Sequence, residues 1–372
     1  MNILFSCLSK SWGGMEMLTL TQMQQLLDRH LHVELLCLSG SRMGTEALDK
    51  GFIIHTLNTS GYFSPANISK IISLIKKNNF DLINSHASKD LWAIVPALKI
   101  SNSKIPLILT KHVGSYITKK DFLHKWIYSR VNIALAISGV IRKNLIATTP
   151  LIENKIILVH NGIDINKFDP AKAERNKTRD EFNFADNEIV IGMMGRFSPG
   201  KGHEEFLNSA KILNGLNNNL KFVVAGEASF GEEEYERKIK KLSEKLELKN
   251  VIFTGYISDT INILSAMDVF IFPSHAESFG LALTEAMAME LPSVSSNSDG
   301  VLEITIDNGT GYLFENKNSE DLADKISKLV LSSGLRKKFG KAARERVIDK
   351  FNLDKQTDKI IEIYESQISK QI

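Results

Sequence analysis

A glycine-rich turn at Gly195–Gly202 places two cations between a predicted strand and a predicted helix. Its Gly-x4-Gly-Lys spacing nearly matches a phosphate-binding P-loop. That motif has Ser or Thr after the lysine to hold Mg²⁺, and Gly202 stands there instead. The spacing therefore disfavours a nucleoside triphosphatase. Arg196 and Lys201 remain suited to binding a diphosphate, and the alternative is a basic surface turn.

Two carboxylates form a second candidate group, eight positions apart on either side of a predicted helix start. Glu277 follows a predicted buried strand, whereas Glu285 lies one to two turns into the next helix. A rise of ~1.5 Å per residue separates them by about 10 Å, roughly the span from a sugar to a ribose across a diphosphate. The N–H groups of 278–280 favour an anion between them. Glu285 taken alone is equally compatible with a capping or ion-paired residue.

The first half of the chain offers weaker signals at the ends of predicted strands. Gly13 and Gly14 lie in a strand-to-helix turn, where a backbone can approach a phosphate or a sugar closely. His86, His112 and Ser138 each follow a strand. In a doubly wound domain such positions face the ligand-binding crevice, although a glycine pair or a single histidine there is often structural.

β-rich runs, which include the predicted strands Ile189–Met194 and Val269–Phe272, alternate with amphipathic stretches, and these elements would have to position the candidate residues. Such alternation predicts an α/β fold with parallel sheets covered by helices on both faces. The polar stretch Asn166–Asn187, broken by Pro170, predicts a linker. We expect two Rossmann-like, doubly wound domains at 1–165 and 166–350 facing across a cleft, and a C-terminal helix at 351–372 that packs back on the N-terminal domain.

The composition is that of a soluble globular protein, with 372 residues, 43% hydrophobic and 24% charged. Two cysteines in apolar runs exclude a disulfide framework and predict a reducing, cytoplasmic compartment. No apolar run reaches the ~18 residues that span a bilayer. The net charge of residues 1–165 is +8 and that of the rest is −5. The first half is therefore predicted to face something anionic, with chance as the alternative.

The segment 115–131 mixes lysine and arginine with large apolar residues. This pattern is compatible with a basic amphipathic helix on an anionic membrane surface, or with a core-packed helix that has a solvated edge. We hypothesise peripheral attachment to the cytoplasmic leaflet.

Taken together, these residues resemble retaining glycosyltransferase family 4, which has the GT-B fold, over nearly the whole chain. The most specific motif is Glu277-x7-Glu285, and the second is Gly195-Arg196…Lys201-Gly202. Further matching segments are Gly13-Gly14-Met-Glu16, Val159-His-Asn-Gly-Ile-Asp164, Phe253-Thr-Gly255-Tyr256, Leu291-Pro-Ser-Val and Gly309-Thr-Gly311-Tyr-Leu-Phe. One departure is Asp299-Gly300-Val-Leu-Glu303, where many members carry Gly-Gly-x-x-Glu, and it predicts a changed loop shape.

The resemblance implies a role for each candidate residue. Arg196 and Lys201 would neutralise the leaving diphosphate, Glu277 would hold the donor sugar near C3–C4, and Glu285 would bind the ribose. His112 would lie beside the anomeric carbon, stabilising positive charge or orienting the sugar through its carbonyl. The backbone would contact the phosphates at Gly13, Gly14, Ser278, Phe279, Gly280 and Leu281, and the base at Tyr256 and Ile257. Glu16, His86 and Ser138 would lie on the acceptor side.

The implied reaction is hexosyl transfer with retention, by front-face attack, from a UDP- or GDP-sugar to a lipid-linked, lipopolysaccharide or capsule glycan. The sequence has no Asp-x-Asp motif, so neither a metal ion nor another cofactor is expected. A GT-B sugar-nucleotide epimerase remains an alternative, as does a non-enzymatic protein that binds nucleotide sugar or nucleic acid. No nucleic-acid-binding motif is recognisable, and the second half is acidic, so we expect no nucleic-acid partner.

Overall fold

The computed structural model describes residues 1–58, 63–215, 219–229 and 231–370. The chain divides into two compact units. The first contains Met1–Asn161 and the residues from Asp354 onward, and the second is Gly162–Leu353. The expected domain limits were 165/166 and 350/351, a few residues from these divisions.

In the described part of the first unit, seven parallel strands form one sheet in the order β3-β2-β1-β4-β5-β6-β7. The strands are β1 (Asn2–Cys7), β2 (His32–Leu38), β3 (Ile54–Leu57), β4 (Leu82–Ser85), β5 (Leu107–Lys111), β6 (Ile133–Ala136) and β7 (Ile156–Leu158). The helices between them are α1 (Gly14–Asp28), α2 (Arg42–Asp49), α3 (Pro65–Lys77), α4 (Leu91–Ile100), α5 (Phe122–Tyr128) and α6 (Gly139–Thr148). Helices follow most of the strands, which makes this a doubly wound Rossmann-like unit.

The second unit repeats the plan with six parallel strands among its described residues, in the order β10-β9-β8-β11-β12-β13. The strands are β8 (Ile189–Met194), β9 (Leu220–Ala225), β10 (Val251–Gly255), β11 (Val269–Phe272), β12 (Ser293–Ser296) and β13 (Gly311–Phe314). The helices are α7 (Arg175–Glu181), α8 (His203–Asn214), α9 (Glu233–Lys245), α10 (Thr260–Ala266), α11 (Leu281–Ala288), α12 (Val301–Ile304), α13 (Ser319–Val330) and α14 (Ser333–Lys350). Both sheets are parallel, as predicted.

The central strands are buried on both faces, which explains their continuous apolar runs. All four side chains of β11 are buried, and Val269, Phe270 and Ile271 have no exposed surface. Neighbouring β8 contains Gly192, where a Cβ would lie 2.2 Å from the Met267 sulfur, so the close packing there requires glycine. In each parallel sheet the carboxyl ends of the strands meet at one edge, where the loops carrying the candidate residues are found.

The last helix, α15 (Leu353–Ser369), packs on the first unit. Ile360 and Tyr364 join the core cluster of Phe5, Leu35 and Leu135. At the surface the Arg29 guanidinium pairs with Asp354 at 2.9 Å and with Asp358 at 3.0 Å.

The expected linker at 166–187 is wrong, because this stretch is a folded part of the second unit. It contains α7, in which Arg179 is only 5% exposed. The Arg179 guanidinium lies 3.3 Å from the Asp268 carboxylate and donates to the Ala185 carbonyl at 2.7 Å. A buried arginine, held by a carboxylate and backbone carbonyls, therefore anchors this polar stretch in the second unit.

The segment 115–131 is also not one continuous amphipathic helix, since only Phe122–Tyr128 is helical. Ile127 and Tyr128 are buried in the first unit, so part of the apolar content belongs to the core. No helix in the described ranges combines the length and the apolar character that crossing a bilayer requires.

Candidate functional site

The loop after β8 is held tightly against the loop after β11. Gly202 has φ +78°, and a Cβ there would lie 2.2 Å from the Pro273 carbonyl oxygen. The His275 N–H donates to the Gly200 carbonyl at 2.8 Å, and the His275 imidazole lies 3.0 Å from the Glu205 carboxylate. The glycine that excludes a P-loop is thus required by the close approach of the two loops.

This approach brings two of the predicted residues together. The Lys201 ammonium pairs with the Glu277 carboxylate, and both side chains are mostly buried, at 29% and 17% exposed. Arg196 is more open, with 48% of its side chain exposed. Its Nε lies 3.6 Å from Glu232 Oε2, and its Nη1 donates to Ser229 Oγ at 3.4 Å. Glu232 is a neighbour that the sequence did not single out.

The segment from Glu277 to Glu285 turns into α11 at Gly280. Gly280 has φ +116°, a conformation that favours glycine, and it precedes the first helical residue, Leu281. Phe279 is buried and meets Phe351 edge to face, with ring centroids 5.6 Å apart. The backbone N–H groups of the first turn of α11 lie beside this loop and lack partners within the helix.

Glu285 lies partly buried on α11. Burial raises its pKa to about 7, and the Lys167 ammonium opposes that rise. A carboxyl group in this position is poised between its two protonation states near neutral pH.

The departure at Asp299 does not remove the conformation that glycine would adopt. Asp299 has φ +46°, in the left-handed region that Asp tolerates better than most residues. The following Gly300 donates its N–H to the Glu277 carbonyl at 3.0 Å, and a Cβ on Gly300 would lie 2.7 Å from the Ser278 carbonyl oxygen. The glycine that this motif keeps is therefore the one that holds the Glu277 loop in place.

Tyr256 and Ile257 follow β10 at the same edge of the second sheet. Tyr256 is 57% exposed, and Ile257 is partly buried. The loop is tied to its neighbour because the Gly226 N–H donates to the Gly255 carbonyl at 2.9 Å.

In the first unit, Gly13 and Gly14 stand at the start of α1. Gly13 is fully extended, with φ −169°, and a Cβ there would meet Glu16 Oε2 at an ordinary 3.8 Å. Backbone geometry at Gly13 therefore does not call for glycine. Glu16 itself is 3% exposed, in the first turn of the helix.

His86 and His112 are in direct contact at the carboxyl ends of β4 and β5. His86 Nδ1 lies 3.1 Å from His112 Nε2, and the rings stack with centroids 5.3 Å apart. Burial, together with the neighbouring Lys111 ammonium, lowers the pKa of His112 to about 4. Burial, with a contribution from His112, also holds the pKa of His86 well below its usual range. Both rings are therefore neutral at physiological pH.

Ser138 lies at the start of α6. Its side chain is fully buried and accepts a hydrogen bond from the Ile141 N–H at 3.3 Å, so it caps the N-terminus of α6.

Two buried polar residues of the first unit were missed in the sequence. Asn84 lies in β4 two positions before His86, and this spacing of two, which places side chains on one face of a strand, was the signal that could have found it. The other, Asp90, has no comparable signal. The Asp90 carboxylate accepts from Ser6 Oγ at 3.0 Å and from the Leu8 N–H at 3.1 Å, and burial raises its pKa to about 7.

The predicted residues thus fall into two groups. Arg196, Lys201, Glu277 and Glu285 lie in the second unit, and His86 with His112 lie in the first. Within the described residues, the His, Cys, Asp and Glu side chains form no group of three or more that could hold a metal ion.

Two family models match the chain in sequence. Residues 12–167 match "Glycosyltransferase Family 4", and residues 174–346 match "Glycosyl transferases group 1". The chain is 27% identical to the capsular polysaccharide biosynthesis glycosyltransferase CapM of Staphylococcus aureus, over 89% of each protein. It is 25% identical to the UDP-Gal:alpha-D-GlcNAc-diphosphoundecaprenol alpha-1,3-galactosyltransferase of Escherichia coli, over 95% of this chain and 93% of that protein.

The fold has a solved counterpart of the same kind. The crystal structure of a glycosyltransferase from Rickettsia africae aligns with a TM-score of 0.89 at 25% identity, and covers 99% of this chain and 98% of that one. The two parallel-sheet units are therefore those of the GT-B fold. On these matches and on this architecture, the chain belongs to glycosyltransferase family 4.

Proposed function

We propose that this glycosyltransferase moves a hexose, with retention of configuration, from a UDP- or GDP-sugar to a hydroxyl of a lipid-linked or polysaccharide acceptor. The observation that carries the proposal is the meeting of Lys201 with Glu277 beside the N-terminus of α11. A cation, a carboxylate and helix-start N–H groups at one sheet edge match the phosphate and hydroxyl groups of a sugar nucleotide.

The leaving diphosphate would be bound by charges that the second unit already holds in place. Arg196 and Lys201 neutralise its growing negative charge, and the N–H groups of Ser278–Leu281 donate to its oxygens. Preorganised donors of this kind stabilise a transition state without reorganising during the reaction. In this proposal no metal ion and no other cofactor takes part.

The same edge would position the rest of the donor. Glu277 exchanges its pairing with Lys201 for hydroxyls of the sugar, and Glu285 accepts hydrogen bonds from the ribose. The backbone at Tyr256 and Ile257 contacts the base. These roles place the sugar on the loop after β11, the ribose on α11 and the base on the loop after β10.

The first unit would supply the acceptor side. The backbone at Gly13 and Gly14 contacts the donor phosphates, and His112 lies beside the anomeric carbon. The acceptor hydroxyl attacks from the face of the leaving group, as the family resemblance implies. Contact of Glu16, His86 and Ser138 with the acceptor stays a prediction.

The acceptor class follows from the relatives. One has a name that refers to capsular polysaccharide, and another to a diphosphoundecaprenol-linked sugar. We infer that this chain also extends a glycan carried on a lipid at the cytoplasmic leaflet, within the making of a capsule or lipopolysaccharide.

The segment 115–131 supports docking on that leaflet, although it is not one long helix. Tyr116 is fully exposed, Ile117 is 64% exposed and Phe122 is 80% exposed. Lys120 and Lys125 are exposed in the same stretch. Apolar side chains that insert beside lysines fit an anionic bilayer surface.

A donor panel tests the main proposal. Binding stabilises the folded protein by RT ln(1 + [L]/Kd), so the true donor among UDP-, GDP- and ADP-sugars raises the melting temperature most. That donor is then incubated with a lipid extract that contains the acceptor, and the anomeric configuration of the product is determined by NMR. An inverted product contradicts retention, and conversion of the donor without acceptor points to an epimerase.

Vesicle co-sedimentation tests the docking surface. We expect the protein to bind vesicles that contain about a third anionic lipid at low salt. Binding should weaken as the salt concentration rises, because salt screens the attraction between the lysines and the anionic lipids. Phe122→Ser should weaken binding. Leu331→Ser is the matched control, because Leu331 is a comparably exposed apolar residue, at 83%, in the other unit. Equal binding by both variants contradicts the assignment.

A further inference from the structure

A continuous chain of hydrogen bonds runs through the first unit from α15 to His112. Asn84 Nδ2 donates to the Tyr364 hydroxyl at 2.6 Å and lies 3.3 Å from His86 Nε2. Asn84 Oδ1 accepts from the Thr110 hydroxyl at 3.0 Å. His86 Nδ1 then lies 3.1 Å from His112 Nε2. Every link of this chain is buried.

The order of donors fixes the protons on both rings. The Thr110 and Tyr364 hydroxyls can each donate or accept, so the placement of the Asn84 amide sets the direction of the chain. In the orientation that the structure shows, Asn84 Nδ2 faces His86, so His86 Nε2 is the acceptor and carries no proton. A neutral His86 then carries its proton on Nδ1 and donates it to His112 Nε2. A neutral His112 must in turn carry its proton on Nδ1.

That last nitrogen has no partner within the described residues. His112 is 7% exposed, and its Nδ1 is buried without a hydrogen bond. An unsatisfied buried donor costs about 1–3 kcal/mol, so its retention in a native fold calls for an explanation. A substrate oxygen would satisfy it.

We propose that His86 is a positioning residue that, together with Asn84 and Tyr364, holds His112 in one neutral tautomer and presents Nδ1–H to a substrate oxygen. The inference rests on the proposed function, since it places His112 at the substrate. It gives His86 a role behind His112 and adds the C-terminal helix to the groups that arrange the site.

A neutral donor suits the chemistry of the proposed reaction. Glycosyl transfer passes through a state with positive charge on the sugar ring, which an imidazolium would repel. Burial lowers the pKa of His112 to about 4, so the ring donates a hydrogen bond without carrying a charge. The donor can then orient a hydroxyl beside the reacting carbon.

His86→Phe is the main test, because His86 packs on Phe5 with ring centroids 4.6 Å apart and phenylalanine can keep this contact. His86→Asn is the rescue variant, since an amide Nδ2 can still donate toward His112. Full-length protein with ¹⁵N-labelled histidine gives the tautomer directly, and His112→Gln assigns its signal among the nine histidines.

We expect His112 Nδ1 to be protonated in the wild type and in His86→Asn, and mixed tautomers in His86→Phe. With the nucleotide sugar that stabilises the protein most, His86→Phe should lose about tenfold in kcat at an unchanged donor KM, the effect of about one hydrogen bond. His86→Asn should stay within about threefold of the wild type. Tyr364→Phe should lose less than His86→Phe, and Thr149→Val, a buried hydroxyl outside the chain, should lose nothing.

An unprotonated His112 Nδ1 in the wild type overturns the proposal, as does an unchanged tautomer in His86→Phe. Equal loss of activity in His86→Asn and His86→Phe assigns His86 a merely structural role and also overturns it. The NMR measurement needs no donor. A correct tautomer in a protein that transfers no sugar would therefore contradict the proposed function and leave the proton assignment standing.

Discussion

The carboxyl edges of the two sheets present opposite kinds of surface. In the second unit the loops carry formal charges in contact, with Lys201 paired to Glu277 and Arg196 half exposed. In the first unit the equivalent edge carries the buried, neutral His86 and His112 in a hydrogen-bonded chain, with the Lys111 ammonium beside them. The same topology thus supports one edge suited to a diphosphate and another suited to neutral hydroxyls.

Removing a charge from the second edge is the strongest way to break this comparison. Lys201→Ala should lower kcat about 100-fold, because a charge-assisted contact to the leaving diphosphate contributes about 1.5–3 kcal/mol. Steady-state kinetics with the donor from the panel measure the effect.

Lys221→Ala is the matched control for that change. Lys221 lies 3.3 Å from the Glu188 carboxylate and is also 29% exposed, but it stands at the start of β9, away from the site edge. It should turn over like the wild type. If Lys201→Ala keeps nearly full turnover, the assignment of Lys201 to the leaving diphosphate is wrong.

The second edge should also respond to pH through Glu285. Because burial raises its pKa to about 7, the carboxyl is mostly ionised at pH 8 and mostly protonated at pH 6. A protonated carboxyl accepts ribose hydroxyls poorly, so the Kd for the donor that the panel selects should rise about tenfold as the pH falls between those values. The sugar diphosphate does not titrate in that range, and calorimetry gives the Kd directly.

Glu285→Gln should bind more weakly and with the same Kd at both pH values. A wild-type Kd that does not change with pH would exclude the Glu285 carboxylate as a ribose ligand.

The smallest effect concerns the buried acid at the first edge. The pKa of Asp90 is raised to about 7, so the folded protein binds its proton more tightly than the unfolded chain does. Stability from this group is therefore highest in acid and falls as the pH rises from about 4 to 7. Asp90→Asn removes that fall. From pH 5 to pH 8, the free energy of unfolding of the variant should therefore rise by at least about 1 kcal/mol relative to that of the wild type.

Thermal unfolding of both proteins at the two pH values measures the difference. Asp81→Asn is the control, because Asp81 also accepts a backbone N–H, at 2.7 Å, but is exposed. If the two substitutions change stability equally, the first edge does not bury a neutral acid.

The sequence predicted the central strands well because full burial gives them uninterrupted apolar runs. Ile189–Met194 and Val269–Phe272 were predicted to the residue. The edge strands Ile156–Leu158 and Gly311–Phe314 were missed, since three or four partly exposed residues leave no such run. The buried Arg179 was missed because an arginine satisfied by carbonyls looks the same in sequence as one in solvent.

The candidate residues of the second unit were easier to single out in the sequence than those of the first unit, for a related reason. Arg196, Lys201 and Glu277 lie within short motifs that contain their own glycines. Asn84 and Tyr364 are 280 positions apart, and only the folded core brings them into contact. No local spacing encodes a hydrogen bond of that kind.

The return of α15 to the first unit has a consequence for how the protein is made. Residues Gly162–Leu353 form a contiguous unit that can be completed while the final segment is still in the ribosome. The first unit must wait for α15 before Ile360 and Tyr364 fill its core. A nascent chain that stops short of α15 would therefore present an open apolar surface to chaperones and proteases.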